Sequence, residues 1–438
     1  LNDDVRSYFS ASYVYEKISQ NRHDKDFIQD ILKPLQDDYH ALKYLKEFDL
    51  LSIVDLDELL NDKECESTAL ILYKILQYYG SGSVKSEFLS KAKFEKLPDK
   101  FFFGAENVKK ISVPPCVKEV GRAVFANNVE LEEIDFDPRT RNAVKADELC
   151  IKPWAIINCP NLKQIKLGDN YLRYNHPLAS RCFGLEKIVV SAQNPSFSTA
   201  YDGAMLVSKD SKHLYFATNA LKGEVRIPDC IEVLETNSLS YLKNVEKYII
   251  PKSVKQSDTN FSDFCDNLIF LSVEDGNEVF YSDEKGYMYC DGENGKTLFR
   301  VPSGVKSDVI IPNDVTTIGS DSISCCMFTT RIVVPQSVRF IENYAFADTY
   351  SLKKLEFEDI DGVEQIDNYI FLSTNEDAKI FVPEPMSLKK FNETYCRHLS
   401  KDKVRGRMTR RITFADFEKR GIEVIRETDL NRDFDNIV

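Results

Sequence analysis

The sequence predicts a repeat solenoid, in which similar coils stack side by side. The main observation is a spacing rule: apolar residues recur three, six and eleven positions after each of four prolines, Pro114, Pro228, Pro312 and Pro335. A fixed period with apolar positions at the same depth is typical of solenoids. The physical reason is that the apolar flank of each coil can be covered only by a neighbouring coil.

We call the apolar residues at these spacings the anchors. They are Val117, Val120, Phe125, Ile231, Leu234, Leu239, Val315, Ile318, Ile323, Val338, Ile341 and Phe346. In three copies a further apolar residue, Leu131, Val245 or Leu352, follows at position seventeen and opens a strand-like run such as LEEIDF. The next proline comes 23 residues on in two places, since 251 − 228 and 335 − 312 both give 23. The repeat therefore predicts short β-strands in each coil.

A longer duplication supports the repeat. Phe197, Gly203 and Met205 align with Phe280, Gly286 and Met288, each pair 83 apart, and Leu214 then aligns with Leu298, 84 apart. Each copy reads as short alternating strands separated by Asp-Gly, Lys-Gly or Asp-Ser turn signals. The sequence therefore predicts two inserted β-hairpins, or small β-meanders, near residues 194–225 and 277–309.

These patterns resemble a known family. Proline-led units of the form P-x-x-V-x-x-I-x-x-x-x-F, followed by L-x-x-I-x-[IV]-P, are similar to the BspA-like leucine-rich repeats, whose members also carry N-P-x-F…D-G inserts. The resemblance covers roughly residues 88–383, although residues 137–180 follow the spacing poorly. It implies a curved leucine-rich repeat solenoid that binds proteins or surface ligands and has no shared catalytic residues.

The first 80 residues differ from the repeat. Apolar residues recur three or four apart, as in Leu56, Leu59 and Leu60, before the dense apolar stretch 70–76, and this period predicts helices. A Gly-Ser sequence then predicts a flexible joint over 81–87. Two functions stay open for residues 1–80: a cap or adaptor that shields the apolar edge of the first coil, or the tail of an upstream helical domain that uses the solenoid as its sensor.

The C-terminal region, residues 384–438, matches no repeat unit and is predicted to be a cap or tail. It contains the basic stretch Lys401–Arg411, which is a solvated segment or a docking point for an acidic partner. Nucleic-acid binding would require interleaved aromatic residues and a larger basic face.

Composition limits the partners. The formal net charge of −13 argues against nucleic acid or anionic lipid as partners. The sequence contains no run of eighteen apolar residues, so it predicts no membrane span. Homo-oligomer formation stays open. The chain starts at Leu rather than Met, so the earlier removal of an upstream signal peptide or domain stays open.

The cysteines predict structure more than chemistry. Eleven cysteines without a C-x-x-C pair favour buried thiols and a reducing, intracellular setting, with a cell-surface or secreted location as the alternative. Most of the following six cysteines lie beside anchors: Cys150, Cys159, Cys182, Cys265, Cys325 and Cys326. The adjacent pair Cys325 and Cys326 is the one place at which redox chemistry is considered.

No catalytic, cofactor-binding or metal-binding residue is predicted. The five histidines are scattered singly, and no phosphate, acyl-transfer or dinucleotide motif occurs. The run Asp291–Gly295 superficially resembles a calcium loop, but it lacks the ligand at the twelfth position and is predicted to be a hairpin turn.

The predicted binding surface lies on the strands. In L-x-x-I-x-V the third and fifth residues point outward. These outward positions are Lys110/Ser112, Glu133/Asp135, Gln164/Lys166, Lys187/Val189, Lys247/Ile249, Asp308/Ile310, Arg331/Val333 and Lys354/Glu356. The pairs from Lys187 to Glu356 are the predicted partner-binding residues. Their aliphatic members, Val189, Ile249, Ile310 and Val333, would form an apolar centre with a charged rim. The alternative is that they pack under the inserts or a neighbouring sheet.

The sequence therefore predicts non-catalytic recognition of another protein. Two alternatives stay open: a sensor or substrate-recognition segment of a larger enzyme or defence protein, and a secreted surface adhesin.

Overall fold

The computed structural model describes residues 3–61, 65–78, 83–137, 148–173, 177–359, 362–367, 369–374 and 378–381. Residues 81–82 of the predicted joint and the whole C-terminal region, including Lys401–Arg411, lie outside the described residues. The chain divides into two compact units, unit 1 ending at Lys209 and unit 2 beginning at Asp210.

Unit 1 begins with six helices, as the apolar period predicts. They are α1 Asp3–Gln20, α2 Lys25–Leu32, α3 Tyr39–Glu47, α4 Leu56–Asn61, α5 Glu66–Leu76 and α6 Ser83–Lys91. Asp24 and Asp38 precede α2 and α3, and their carboxylates accept hydrogen bonds from the free amides of Phe27 and Ala41. Residues 83–87, predicted as a flexible joint, are instead the beginning of α6.

The strands of unit 1 are short, as predicted. They are β1 Lys96–Leu97, β2 Lys110–Ser112, β3 Glu119–Val120, β4 Glu133–Asp135, β5 Glu148–Ile151, β6 Gln164–Leu167, β7 Tyr171–Arg173, β8 Lys187–Val190, β9 Phe197–Ala200 and β10 Met205–Ser208. Two parallel four-stranded sheets, β1-β3-β5-β7 and β2-β4-β6-β8, form two sides of the coils. Strands β9 and β10 form an antiparallel hairpin in the first predicted insert.

Unit 2 repeats this plan. Its strands are β11 His213–Ala217, β12 Gly223–Arg226, β13 Val233–Leu234, β14 Val245–Ile250, β15 Gln256–Ser257, β16 Phe270–Val273, β17 Phe280–Ser282, β18 Met288–Gly292, β19 Gly295–Arg300, β20 Val309–Ile310, β21 Val315–Ile318, β22 Arg331–Val334, β23 Phe340–Ile341, β24 Lys354–Phe357, β25 Gln365–Ile366 and β26 Lys379–Phe381. One side of the coils carries the parallel sheets β12-β14-β16 and β20-β22-β24-β26. In the second insert, β17, β18 and β19 pair antiparallel and continue into β21, β23 and β25.

All twelve anchors lie in the core. Each has a relative exposure of 2% or less, including Phe125 and Phe346, so the register of the repeat is confirmed. In each unit the coils form a β-solenoid in which stacked anchors fill the interior, which is how repeat coils bury apolar surface.

A third side of each coil consists of turns, which we call the turn face. Here non-glycine residues adopt left-handed backbone conformations in pairs four positions apart, such as Ala123 (φ 51°) with Asn127 (φ 58°) and Tyr344 (φ 58°) with Asp348 (φ 54°). Backbone groups between such residues bond from coil to coil. Ile323 N–H, for example, donates to the Ala345 carbonyl at 3.0 Å. These inter-coil bonds hold residues in a conformation that L-amino acids ordinarily avoid.

Candidate protein-interaction surface

The outward side of the sheets β2-β4-β6-β8, β12-β14-β16 and β20-β22-β24-β26 is called the strand face. In unit 1 its register produces two rows, Lys110-Glu133-Gln164-Lys187 and Ser112-Asp135-Lys166-Val189. Both Lys110 and Lys166 lie 2.7 Å from a Glu133 carboxylate oxygen. Burial raises the pKa of Glu133, but the hydrogen bonds from the two lysines bring it below its ordinary value. The charges at this end of the face therefore neutralise one another.

The first two strands of the face are partly covered. Ser112 and Asp135 are buried, so the expectation that they face solvent is wrong. The reason is helix α5, whose buried Tyr73 donates its hydroxyl to the Ser112 carbonyl at 2.7 Å. Burial and, after it, the neighbouring Cys116 and Asp135 side chains raise the pKa of the Tyr73 phenol. Sequence periodicity cannot show that a separate helix docks on a strand.

The last strand of this sheet meets the first insert. Lys187 Nζ lies 2.9 Å from Asp202 Oδ1, in the turn between β9 and β10. At Gly203 (φ 92°) a Cβ would stand 2.5 Å from the Ile188 carbonyl oxygen, so only glycine fits this approach. Lys187 is thus held by the insert, whereas Val189 remains 36% exposed.

In unit 2 the sheet β12-β14-β16 also has two outward rows, Glu224-Lys247-Phe270 and Arg226-Ile249-Ser272. Lys247 Nζ lies 2.9 Å from Glu224 and 5.6 Å from the centre of the Phe270 ring. Ile249 is half-buried in the middle of its row.

Sequence reasoning missed the outward positions of β12 and β16. The signal for β12 was present, since Val225 and Ile227 before Pro228 repeat the I-x-[IV]-P ending. The run LIFLSV of β16 carries no following proline, so only its apolar alternation could have indicated a strand.

The sheet β20-β22-β24-β26 contains the most open part of the predicted surface. Arg331 lies 3.0 Å from Asp308 and 2.6 Å from Glu356, and Lys354 also contacts Glu356. In the adjoining row Ile310, Val333 and Glu356 stand side by side. Ile310 is 46% exposed, so it matches the prediction.

Val333 does not match it. Its exposure is only 9%, and the expectation of a solvent-facing side chain at this position is wrong. The neighbouring side chains Ile310 and Glu356, which flank Val333 in register, leave little room for solvent above it.

A pocket of about 450 Å³ opens beside Ile310. Its residues come from the turn 283–285 of the second insert, from Lys296, and from the segment 310–314. Lys296 Nζ lies 3.1 Å from Asp314 and 4.2 Å from the centre of the Tyr289 ring. The pocket therefore combines an aliphatic wall with acidic and basic groups, an arrangement suited to holding a side chain of another protein.

A buried charged group, which the sequence did not predict, lies in the core of unit 2. The guanidinium of Arg300 is fully buried and donates to Asp263 Oδ1 at 2.5 Å, to Ser324 Oγ at 2.9 Å and to the Asp321 carbonyl at 2.6 Å. These contacts join the coil before the second insert to the coil after it. The group is enclosed by protein on all sides, so its role is structural.

The described cysteines, ten in number, have free thiols. Of the six cysteines beside anchors, five are buried and Cys150 is half-buried. Burial raises the pKa of Cys326 to about 12 and also raises that of Cys325. A protonated thiol is a poor nucleophile, so this environment does not favour redox chemistry at the pair.

Residues 293–294 form the tight connection between β18 and β19, so the run Asp291–Gly295 is the tip of a hairpin, as predicted. Within the described ranges, no three His, Cys, Asp or Glu side chains converge to hold a metal ion. In the same part of the chain, no helix combines the length and apolar character needed to cross a membrane.

The geometry defines a repeat protein with stacked coils, a strand face and two inserted hairpins. The sequence profile of the BspA type leucine rich repeat region matches residues 77–201 and 298–404, in six copies. These ranges cover more than half of the chain, which therefore belongs to the BspA-type leucine-rich repeat family. No curated protein matches the chain.

Solved structures with similarity to this chain include other leucine-rich repeat proteins. The pneumococcal vaccine antigen PcpA is 15% identical, with a TM-score of 0.41 and coverage of 69% of each chain. A leucine-rich repeat protein of Eubacterium ventriosum is 16% identical, with a TM-score of 0.37 and coverage of 65% of this chain and 84% of its own. A leucine rich cell surface protein of Faecalibacterium prausnitzii is 18% identical, with a TM-score of 0.35 and coverage of 65% of this chain and 76% of its own.

Proposed function

We propose that this chain is a non-catalytic recognition protein that binds a partner protein on its strand face, with Ile310 at the centre of the contact in unit 2. The observation that carries the proposal is the exposure of Ile310 between the ion-paired residues Asp308, Arg331 and Glu356 and the adjoining pocket. An apolar centre with a polar rim is the usual arrangement of protein interfaces.

The remaining predicted residues are assigned by their exposure. Ile249 and the charged residues Lys247 and Lys354 extend the surface in unit 2, whereas Lys187 and Val189 form a separate part of it in unit 1. Val333 lies beside Ile310 in register and is buried, so it packs next to the contact rather than contacting the partner. Because strands are rigid, a partner bound here would lose little free energy to ordering of the surface.

The helices of residues 1–80 act as a cap in this proposal. Tyr73 of α5 packs among the rings of Phe88, Phe94, Phe101 and Phe102, and its hydroxyl bonds to β2. This contact covers the apolar edge of the first coil, which a solenoid requires. A recognition segment of a larger enzyme or a secreted adhesin would use the same strand face and differ only in what is attached to it.

The test is the substitution Ile310→Glu. We expect binding to fall by at least about tenfold, since a carboxylate would be desolvated in the interface, while the circular dichroism spectrum and melting temperature stay as in the parent. A partner is first captured with the whole chain from the native lysate and identified, and is then titrated against each variant by calorimetry.

The matched control is Val129→Glu, which places the same charge on an exposed aliphatic residue in a loop outside the strand face. Equal binding by the Ile310→Glu variant and the parent would exclude the strand face of unit 2. Substrate turnover by the purified chain that a single point change abolishes would exclude a non-catalytic role.

A further inference from the structure

Helix α1 carries apolar side chains on the side that faces away from the protein. Its inner side is formed by Ala11, Val14 and Ile18, which are buried. On the opposite side Phe9 is 62% exposed and Tyr13 is 56% exposed, one helical turn apart. Helix α1 packs against the protein through its inner side, so these two aromatic side chains are left largely exposed.

The neighbouring Tyr8 is also exposed and enlarges this surface. Its ring lies 5.2 Å from the Tyr44 ring and 5.6 Å from the Phe48 ring, both in edge contact, so it is fixed in place. We call Tyr8, Phe9 and Tyr13 the aromatic patch. Rigid aromatic side chains with polar tips are enriched at protein interfaces.

Charged residues flank the patch symmetrically. Phe9 and Tyr13 each lie two positions from Ala11, and Arg6 and Glu16 each lie five positions from it, since 11 − 6 and 16 − 11 both give 5. With 3.6 residues per turn, Arg6, Phe9, Tyr13 and Glu16 fall within an arc of about 80° on the outer side of the helix. Arg6 and Glu16 are exposed.

This arrangement is complementary to itself. If two copies of α1 pack antiparallel about a twofold axis at the level of Ala11, Phe9 of each helix faces Tyr13 of the other. The same axis brings Arg6 of each helix to Glu16 of the other, so the two ends of the contact carry opposite charges. A twofold contact of this kind uses every interaction twice.

We propose that the aromatic patch is a homodimer interface and that its occupant is α1 of a second copy of this chain. The proposal does not depend on the strand face, because it rests on different residues in the helical part of unit 1. A single helix pair buries a small area, so the dimer is expected to be reversible and to depend on protein concentration.

The test uses the whole chain in sedimentation velocity runs over a concentration series. The parent should pass from monomer to dimer as the concentration rises. Phe9→Asp should shift the dissociation constant upward by at least about tenfold, because each dimer would contain two buried carboxylates.

A charge exchange locates the interface and its direction. Arg6→Glu and Glu16→Arg should each weaken the dimer by about tenfold, because each creates two like-charge pairs. The double variant Arg6→Glu/Glu16→Arg should restore parent-like dimerisation. Glu130→Lys, a charge reversal at an exposed loop residue of the same unit, is the control and should have no effect.

Arg6, Phe9, Glu16 and Glu130 are exposed and the inner side of α1 is unchanged in every variant, so circular dichroism should show each variant folded. A parent that stays monomeric at every concentration overturns the proposal. A dimer that is unaffected by Phe9→Asp, or that the double variant fails to restore, overturns the antiparallel α1 contact. The strand-face titration with Ile310→Glu would be unchanged by either result.

Discussion

The two duplicated regions keep the same backbone and differ in what they bury. Leu214 and Leu298, 84 positions apart, are both fully buried. Two residues later one copy has the apolar Phe216, whereas the other has the guanidinium of Arg300. The copies also differ at a left-handed turn position of the following coil, where one has Asn237 (φ 55°) and the other has Asp321 (φ 53°). These two residues correspond, since 321 − 237 again gives 84.

This difference shows which positions determine the fold. The anchors keep their apolar character in both copies, so they specify the coil. The position of Phe216 and Arg300 accepts an aromatic ring or an ion pair, provided that the ion pair is complete. Since a buried ion pair often contributes no more than apolar packing of the same volume, Arg300 is evidence of tolerance at this site more than of added stability.

The largest expected effect comes from leaving Arg300 without its partner. Asp263→Ala should lower the free energy of unfolding by about 3–5 kcal/mol, because it leaves an uncompensated charge in the core. The double variant Arg300→Phe/Asp263→Ala should recover most of this loss, because it reproduces the apolar choice of the first copy. Urea unfolding of the parent, the single variant and the double variant provides the measurement. Equal midpoints for the parent and Asp263→Ala would show that the pair is not a unit.

A smaller loss of stability is expected at the insert turns, where both copies have a glycine that lies close to a strand. At Gly286 (φ 75°) a Cβ would stand 2.6 Å from the Phe270 ring and 2.9 Å from the Phe270 Cα, the counterpart of the approach at Gly203. Gly203→Ala and Gly286→Ala should each lower the free energy of unfolding by about 1–3 kcal/mol.

Gly276→Ala is the control for this pair, because Gly276 (φ 83°) has open space around it and Ala there meets only the backbone preference. Thermal unfolding of the three variants separates the two contributions. A smaller loss at Gly203 and Gly286 than at Gly276 would contradict the close approach of the insert turns to the sheets.

The smallest expected effect is a change in pH dependence. Burial, followed by the nearby Asp263 carboxylate, raises the pKa of Asp321 to about 6, although Arg300 opposes the shift. The folded state then binds this proton more tightly than the unfolded state, so the contribution of Asp321 to stability is present near pH 4 and is lost as the pH rises to about 6. We expect the contribution of Asp321 to the free energy of unfolding to fall by about 1 kcal/mol across this range, since Asp321 is only partly buried.

Asp321→Asn should remove this component, because Asn is the residue that the first copy has at the same turn. The measurement is the free energy of unfolding of parent and variant at several pH values between 4 and 7. Subtracting the two curves removes the carboxylates with lowered pKa values, such as Glu119 and Glu274, whose contributions have the opposite sign. Parallel curves would contradict the assigned role of Asp321.

Much of the fold followed from the sequence because the repeat encodes burial directly. The spacing identified the anchors, and the turn signals identified both inserted hairpins. What the sequence could not provide were contacts between elements distant along the chain. Helix α5 on β2, the turn at Gly286 on Phe270 and the pair of Arg300 with Asp263 all depend on packing that no local period records.

The candidate surface was predicted less completely for the same reason. Alternation along a strand correctly placed Ile310 on the outside. It could not show that Val333, with the same alternation, would be covered by the side chains on either side of it. Exposure on a parallel sheet depends on the size of the residues in the neighbouring strands, and this is a property of the register rather than of one strand.

The turn face has a consequence for how such chains diverge. Its inter-coil bonds join backbone groups, so they form whichever side chain stands at the left-handed positions. Ala123, Asn158, Tyr241 and Asp348 all occupy such positions. Side chains on the turn face can therefore be substituted one at a time during evolution, and the inter-coil hydrogen bonds are kept. A whole block of coils can also be duplicated, because the new coils are joined by the same backbone hydrogen bonds. Sequence diversity among close relatives should concentrate on these turns, while the anchors change only among apolar residues.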